Sequence, residues 1–276
     1  MENIKDQNSK ILYSDFRKQI LEDYKLAFYI RNIGLTCKKD ILKGKELVNI
    51  AIAKTLRKGD NNSESYSNLT SQIISKSVSI TELCNTKTIS VEKQILQLLE
   101  FAKKTKNSNE KKVAYCSIRN IRTLDRNFWE TISIAADLQL PIAVSVWNDG
   151  NELIEKKNLT DTKKYLSESL QNLEQKINEK KLLIFNVKGW DYSGIIKIYM
   201  NGISLCRNSK VPVIFNVEEM MQLEKNPNII KNKFQYEKEY DPIIKMYDWI
   251  IDNNIASIEE LEEIIQSYNV VSDVGN

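Results

Sequence analysis

The chain has 276 residues, 42% of them hydrophobic and 28% charged, with a formal net charge of +3 and no histidine. At this length about 70–75% of the unfolded surface is buried on folding, so neither disulfides nor a structural metal is needed to hold a core. The absence of histidine excludes Ser-His-Asp triads, Cys-His pairs, histidine-ligated metals and histidine general bases; carboxylates, Lys, Tyr, Cys, a cofactor or a partner chain are left for any acid-base chemistry. Cys37, Cys84, Cys116 and Cys206 form no CxxC pair, which points to reduced thiols in a cytoplasmic setting. Forty basic residues are interleaved with 37 acidic ones, so no nucleic acid is expected as a partner. The opening MENIKDQNSK is polar and no apolar run approaches 18 residues, so neither export nor a membrane span is expected.

From Ser14 to Asn32 the spacing of Phe16, Ile20, Tyr24, Ala27 and Phe28 predicts an amphipathic helix. A second helix is expected from about Lys43 to Arg57, stopped by Lys58-Gly59-Asp60. DNNSESYSN (Asp60 to Asn68) reads as a loop. Thr70 to Leu83 and Val91 to Lys104 read as two more helices, and KTKNSNEKK closes this helical part, residues 1–110.

The period then changes. VAYCSI (Val113 to Ile118), IAVSVW (Ile142 to Trp147), LLIFNV (Leu182 to Val187) and VPVIFNV (Val211 to Val217) are short apolar runs rich in β-branched and aromatic residues. Helical spacing lies between them, over Asn127 to Leu138, Asp161 to Ile177 and Ser193 to Arg207. Four strands alternating with three crossover-length helices predict an α/β core over 111–220, a doubly wound parallel sheet buried on both faces. Two C-terminal helices follow within 236–270, the second opened by a capping box of Ser257 and Glu260. The three parts read as one domain.

Ligands of such sheets bind beyond the carboxyl ends of the strands. After the first strand comes RNIRTLDRNFWE, where arginines stand in place of the glycines a phosphate turn wants; Arg119 or Arg122 grips an anion there, or pairs with Asp125 at the surface. After the second comes WNDGNE, where Asn148 and Asp149 offer oxygens to Mg²⁺ or simply make a turn. The third loop, VKGWDYSG, offers Asp191 or Ser193 as a helix N-cap. Trp147 and Trp190, at or just past strand ends, read as packing residues, as do Cys116 and Cys206 in their apolar runs.

Taken together, FWETISIAADLQLPIAVSVWNDG, FNVKGWDY, VPVIFNVEEM and YEKEYDPIIKMYDWIIDNNIAS resemble the alpha part of the thiamine-diphosphate-dependent decarboxylating component of 2-oxo-acid dehydrogenases, in its branched-chain form. The resemblance runs from Val113 to about Glu262 and more loosely over Phe16 to Thr70, through GKELVNIAIAKTLRKGD. It implies the thiamine-diphosphate-binding type of doubly wound sheet. It also implies oxidative decarboxylation of a branched-chain 2-oxo acid, with acyl transfer to the lipoyl arm of a transacylase core. Thiamine diphosphate would be held through Mg²⁺ by the alpha part, and a beta-type partner would supply the glutamate that activates the cofactor.

Against the family's pattern the sequence departs at the diphosphate. The family's motif opens with Gly-Asp-Gly or Gly-Asp-Ala after the first strand and closes with an Asn-Asn or Asp-Asp pair after the second; here Arg119-Asn120-Ile121 and Asn148-Asp149 stand in those places. The resemblance therefore implies Asn120 and Asp149 as the Mg²⁺ ligands, at the family's interval of 29 positions, with a neutral amide replacing the first carboxylate. It places Arg119 where a glycine lets the diphosphate approach the backbone. It also places Tyr66-Ser67 where a Tyr-Arg pair grips the diphosphate, so Tyr66 is kept and the cation is lost. A block ahead of the first strand is largely missing, and QLEKNPNIIKNK replaces a loop that carries histidine in the family. Three readings follow: a working alpha subunit, a pseudo-subunit that keeps fold and partner but not cofactor, or an α/β module that senses a phosphate or nucleotide. Several losses at one diphosphate site favour the second.

Overall fold

The computed structural model describes residues 2–36, 44–62, 91–106, 111–119, 126–148, 182–218 and 238–272. Their order is α1 (Glu2–Thr36), α2 (Glu46–Thr55), β1 (Asn61–Asn62), α3 (Val91–Thr105), β2 (Ala114–Arg119), α4 (Arg126–Leu138), β3 (Ile142–Asn148), β4 (Leu183–Lys188), α5 (Tyr192–Ser209), β5 (Val213–Glu218), α6 (Pro242–Asp252) and α7 (Ile258–Ser272). The helices expected over Thr70 to Leu83 and Asp161 to Ile177 lie outside the described residues. No helix among the described residues is long and apolar enough to cross a membrane.

The five strands form one sheet, ordered β1-β2-β3-β5-β4, and every pairing is parallel. The connection through α4 steps from β2 to β3, whereas the connection through α5 steps back from β4 to β5. Because such crossovers are right-handed, opposite steps put the two helices on opposite faces. The packing follows the period-2 alternation of the strands. Val113, Tyr115, Ala143, Val213, Phe215 and Val217 pack with Ile195, Tyr199, Ile203 and Cys206 of α5, in the same cluster as α1, α2, α6 and α7. Ala114, Cys116, Ile118, Ile142, Val144 and Ile214 face Phe128, Ile132 and Ala135 of α4 and Ile95, Leu98 and Ala102 of α3. The near-continuous apolar runs of the strands thus reflect burial on two faces.

Four local expectations are revised. The stripe on α1 that faces the core is Ile20, Tyr24, Ala27 and Ile30, while Phe16 is 52% exposed; at that level the helix meets its neighbours through Tyr13 and Arg17, which donate to the carbonyls of Asn254 and Ile255. α2 ends at Thr55 rather than Arg57. Leu56 turns to extended backbone at φ −75° and ψ 145°, so Gly59 serves the following turn, at φ +96°, and not the helix end. Asn61 and Asn62, expected as loop, pair with Ala114 and Tyr115 at the sheet edge, so the N-terminal part is not wholly helical. Each main strand also runs one residue further at its carboxyl end than the apolar run alone indicated, ending at Arg119, Asn148, Lys188 and Glu218.

Two buried polar clusters fasten the helices to the sheet. Beneath its amino edge, Arg207 of α5 and Asp60 form a two-pronged ion pair at 2.8 and 2.7 Å, their side chains 3% and 2% exposed. Asp60 also accepts the N–H groups of Val113 and Arg57, and Arg207 donates to the carbonyls of Lys111 and Thr55. Within the core, Tyr115 donates to Ser145 at 2.7 Å, and Ser145 shares a further 2.7 Å bond with Tyr199. These hydroxyls are satisfied mutually, as burial requires.

Candidate functional site

The register carries the strand ends to one line. Arg119 of β2 lies beside Trp147 of β3, Asn148 beside Glu218 of β5, and Glu218 beside Lys188 of β4. The two intervals singled out from the sequence, after Arg119 and after Asn148, therefore leave adjacent strands at the carboxyl edge. Arg119 and Asn148 are placed there by their backbones. Tyr66, Asn120, Arg122, Asp125 and Asp149 lie outside the described residues.

Of the helices that begin near this edge, two are capped by aspartate. Asp191 follows β4 and caps α5, its Oδ1 accepting from the N–H of Gly194 at 3.1 Å and from the Ser193 hydroxyl at 3.2 Å; of the two expected caps it is Asp191 that acts. Asp241 caps α6, accepting from Ile243 and Ile244 at 2.9 and 3.2 Å, with Pro242 in the first helical position. α6 is brought to the edge by Tyr240, whose ring meets Trp190 edge-on at 4.9 Å. Trp190 follows Gly189, whose N–H donates to the Glu218 carbonyl at 2.9 Å. A Cβ on Gly189 would stand 2.8 Å from that same oxygen, so the close approach of the β4 and β5 ends requires glycine.

The start of α2 differs. Its N-cap is Lys45, with no side-chain cap, and its first turn, Glu46, Leu47 and Val48, is fully buried. The Lys45 side chain, 8% exposed, lays its Nζ 4.3 Å from the centroid of the Trp147 ring. Trp147 is 2% exposed and donates its indole N–H to Ser117 on β2, which fixes the ring against the carboxyl ends of β2 and β3. Sequence reasoning treated Trp147 as packing, which it is, and passed over Lys45. Nothing local marks that lysine, whose neighbour on the sheet is 102 positions away.

Beside Lys45, Glu46 is sealed from solvent and takes the Arg31 Nε at 2.8 Å, while Arg31 Nη1 reaches Asp241 at 2.8 and 3.1 Å. This triad ties α1, α2 and the start of α6 together. Burial opposes the charge on Arg31, but Glu46 and Asp241 outweigh it and hold the guanidinium protonated. Two enclosed atoms of the triad, Arg31 Nη2 and Glu46 Oε2, have no hydrogen-bond partner. A second cluster lies along α1: Asp23 receives Lys54 and the Tyr192 hydroxyl, both at 2.7 Å. Burial raises the Asp23 carboxyl above its ordinary range despite both partners, and burial together with Asp23 raises the Tyr192 hydroxyl.

The residues at the edge are a poor fit for thiamine diphosphate held through Mg²⁺. Mg²⁺ calls for carboxylates in octahedral array, yet the first expected ligand, Asn120, is a neutral amide. A diphosphate lying on backbone N–H groups needs a residue without Cβ where β2 ends, and that residue is Arg119. The indole of Trp147 and the ammonium of Lys45 fill space at the end of the adjacent strand. Among the described residues no group of three or more His, Cys, Asp or Glu side chains could hold a metal ion. Among the described residues Lys45 and Lys188 bring positive charge to the edge, Glu218 and Asp191 bring negative charge, and Glu46 and Asp241 are engaged by Arg31. No protein-family model matches this chain, and no curated protein sequence matches it.

Proposed function

We propose that this chain is an alpha-type subunit, similar to the decarboxylating component of branched-chain 2-oxo-acid dehydrogenases, that keeps the subunit fold and a surface for a beta-type partner but has lost thiamine diphosphate. The reading rests on the sequence resemblance. It is supported by an all-parallel α/β sheet in which the two expected cofactor intervals leave adjacent strands in register. The single observation that carries the loss is the composition of the edge between those intervals, where Arg119 ends β2 beside Trp147 and Lys45 lies over the indole. In this reading oxidative decarboxylation, and delivery to a lipoyl transacylase core, fall to other subunits, and this chain contributes assembly.

The test is calorimetric titration of thiamine diphosphate with Mg²⁺ into the chain co-expressed with a beta-type partner, with Asn120→Asp as control. Complex formation without cofactor binding by the wild type is the expected result. Micromolar binding by the wild type would restore the catalytic reading, and failure to associate with any beta-type partner would remove the subunit reading altogether.

A further inference from the structure

We propose that the amino edge of the sheet is a basic face that seats the protein on an anionic lipid bilayer, with the lysine and arginine side chains at the ends of α2, α3 and α5 meeting the charged headgroups. The inference is independent of the subunit reading, and it uses residues to which the family resemblance gives no role.

Bases and acids are interleaved along the sequence, but folding separates them. The Asp60–Arg207 pair gathers the ends of α2 and α5 and the start of β2: Arg207 reaches the carbonyls of Thr55 and Lys111, and Asp60 takes the N–H groups of Arg57 and Val113. Lys210 Nζ donates to the Lys106 carbonyl at 2.7 Å, which brings in the end of α3. Lys111 Nζ lies 3.5 Å from Asn208 Oδ1, and the Lys112 side chain lies against Gly59. Arg57, Lys58, Lys106, Lys111, Lys112 and Lys210 thus share one end of the molecule, and the last turn of α3 adds Lys103 and Lys104.

Cations at helix ends ordinarily answer the helix dipole and its last carbonyls, as Arg207 and Lys210 do here. The exposed side chains of Arg57, Lys58, Lys103 and Lys104 are not used in this way, and among the described residues they meet no carboxylate. The acids at this end are Asp60, consumed by Arg207, with Asp137 in the last turn of α4 and Glu100 one turn up α3. The exposed acids Glu259, Glu262 and Glu263 lie instead on α7, which packs on α1. A protein polarised in this way is oriented by a charged surface, basic end toward it. Clusters of about four to eight lysines and arginines are what an anionic bilayer attracts, each raising affinity about fivefold. A nucleic acid would ask for more than charge. The aromatic side chains exposed among the described residues, Tyr13 and Phe16, lie on α1, so this face offers no ring for stacking, and its helices present their C-terminal ends rather than a flank that could enter a groove.

The test is flotation of the full-length chain with vesicles of equal parts phosphatidylcholine and phosphatidylserine, against vesicles of phosphatidylcholine alone. Binding to the mixed vesicles only, lost as sodium chloride is added, is the expected result. Lys58→Gln/Lys111→Gln, at two exposed positions of the face, should weaken it about 25-fold. Lys188→Gln/Lys197→Gln removes the same charge from other parts of the surface and should leave it nearly unchanged. Lysine acetylation of the wild type, read by mass spectrometry, gives a second measurement that needs no variant: the mixed vesicles should protect Lys58, Lys106 and Lys111 and leave Lys188 and Lys197 reactive. Absence of binding to the mixed vesicles, equal weakening by the two double variants, or uniform protection of all five lysines overturns the proposal. So does tighter binding to duplex DNA than to the vesicles, which would make the face a nucleic-acid site. No beta-type partner is present in these assays, so this idea and the subunit reading fail separately.

Discussion

Removing the carboxylate of Asp60 tests the most heavily committed polar contact in the fold. The side chains of Asp60 and Arg207 are 2% and 3% exposed and joined by two hydrogen bonds, with the N–H groups of Val113 and Arg57 on the same carboxylate. Asp60→Asn keeps the shape but removes the charge and turns an amide N–H group toward a guanidinium that can only donate. Arg207 then retains the carbonyls of Lys111 and Thr55 and no counter-charge. Breaking a buried pair from one side costs about 3–5 kcal/mol, a large share of the roughly 5–15 kcal/mol that holds a typical domain. At about 2–4 °C per kcal/mol for a chain of this size, the midpoint of thermal unfolding should fall by about 6–20 °C. Urea unfolding followed by circular dichroism gives the free energy directly. The double variant Asp60→Asn/Arg207→Met should lose less than the sum of the single losses, because neither charge is left stranded. A loss below about 1 kcal/mol for Asp60→Asn, or strict additivity in the double variant, would refute the argument that this pair fastens α5 and the turn after α2 to the amino edge of the sheet.

Further outcomes follow from the same packing. Gly202→Ala would bring a Cβ to 2.6 Å from the Phe215 ring in the core, so it should cost about 1–3 kcal/mol as overpacking, measurable by the same urea titration. The Asp23 carboxyl is raised by burial, so it favours the folded state most when protonated; that contribution is lost as the pH rises from the ordinary aspartate range through the raised value. Stability profiles from pH 4 to 7 should therefore show this component in the wild type and not in Asp23→Asn, and identical profiles would contradict it. Cys116 and Cys206 are fully buried, and burial pushes the Cys206 thiol well above its ordinary value, so neither should react with a thiol reagent until the protein is unfolded. Ser257→Ala removes the hydroxyl that accepts from the Glu260 N–H at 3.2 Å and should cost about 1 kcal/mol.

The amino-acid sequence by itself determined the α/β class and most of the described elements. Short β-branched runs such as IAVSVW, alternating with helical spacing in FWETISIAADL, were enough for a parallel sheet covered on both faces, because burial on two faces removes the polar alternation of an exposed strand. The capping box at Ser257 was equally legible, since a cap depends on residues three positions apart, while the cap of α5 was narrowed to Asp191 or Ser193 and settled as Asp191 by the structure. Tertiary structure alone decided the order of the strands, with β5 inserted between β3 and β4, and the pairing of Asn61–Asn62 with β2. It alone turned Phe16 outward and Ile30 inward, because which part of a long helix meets the core is set by what it lies against. It also decided the character of the edge. Lys45 and Trp147, Arg31 and Asp241, and Asp60 and Arg207 are 102, 210 and 147 positions apart. A charge's partner is chosen by proximity in space and by the cost of leaving it alone in a buried place, and neither quantity is written in local sequence.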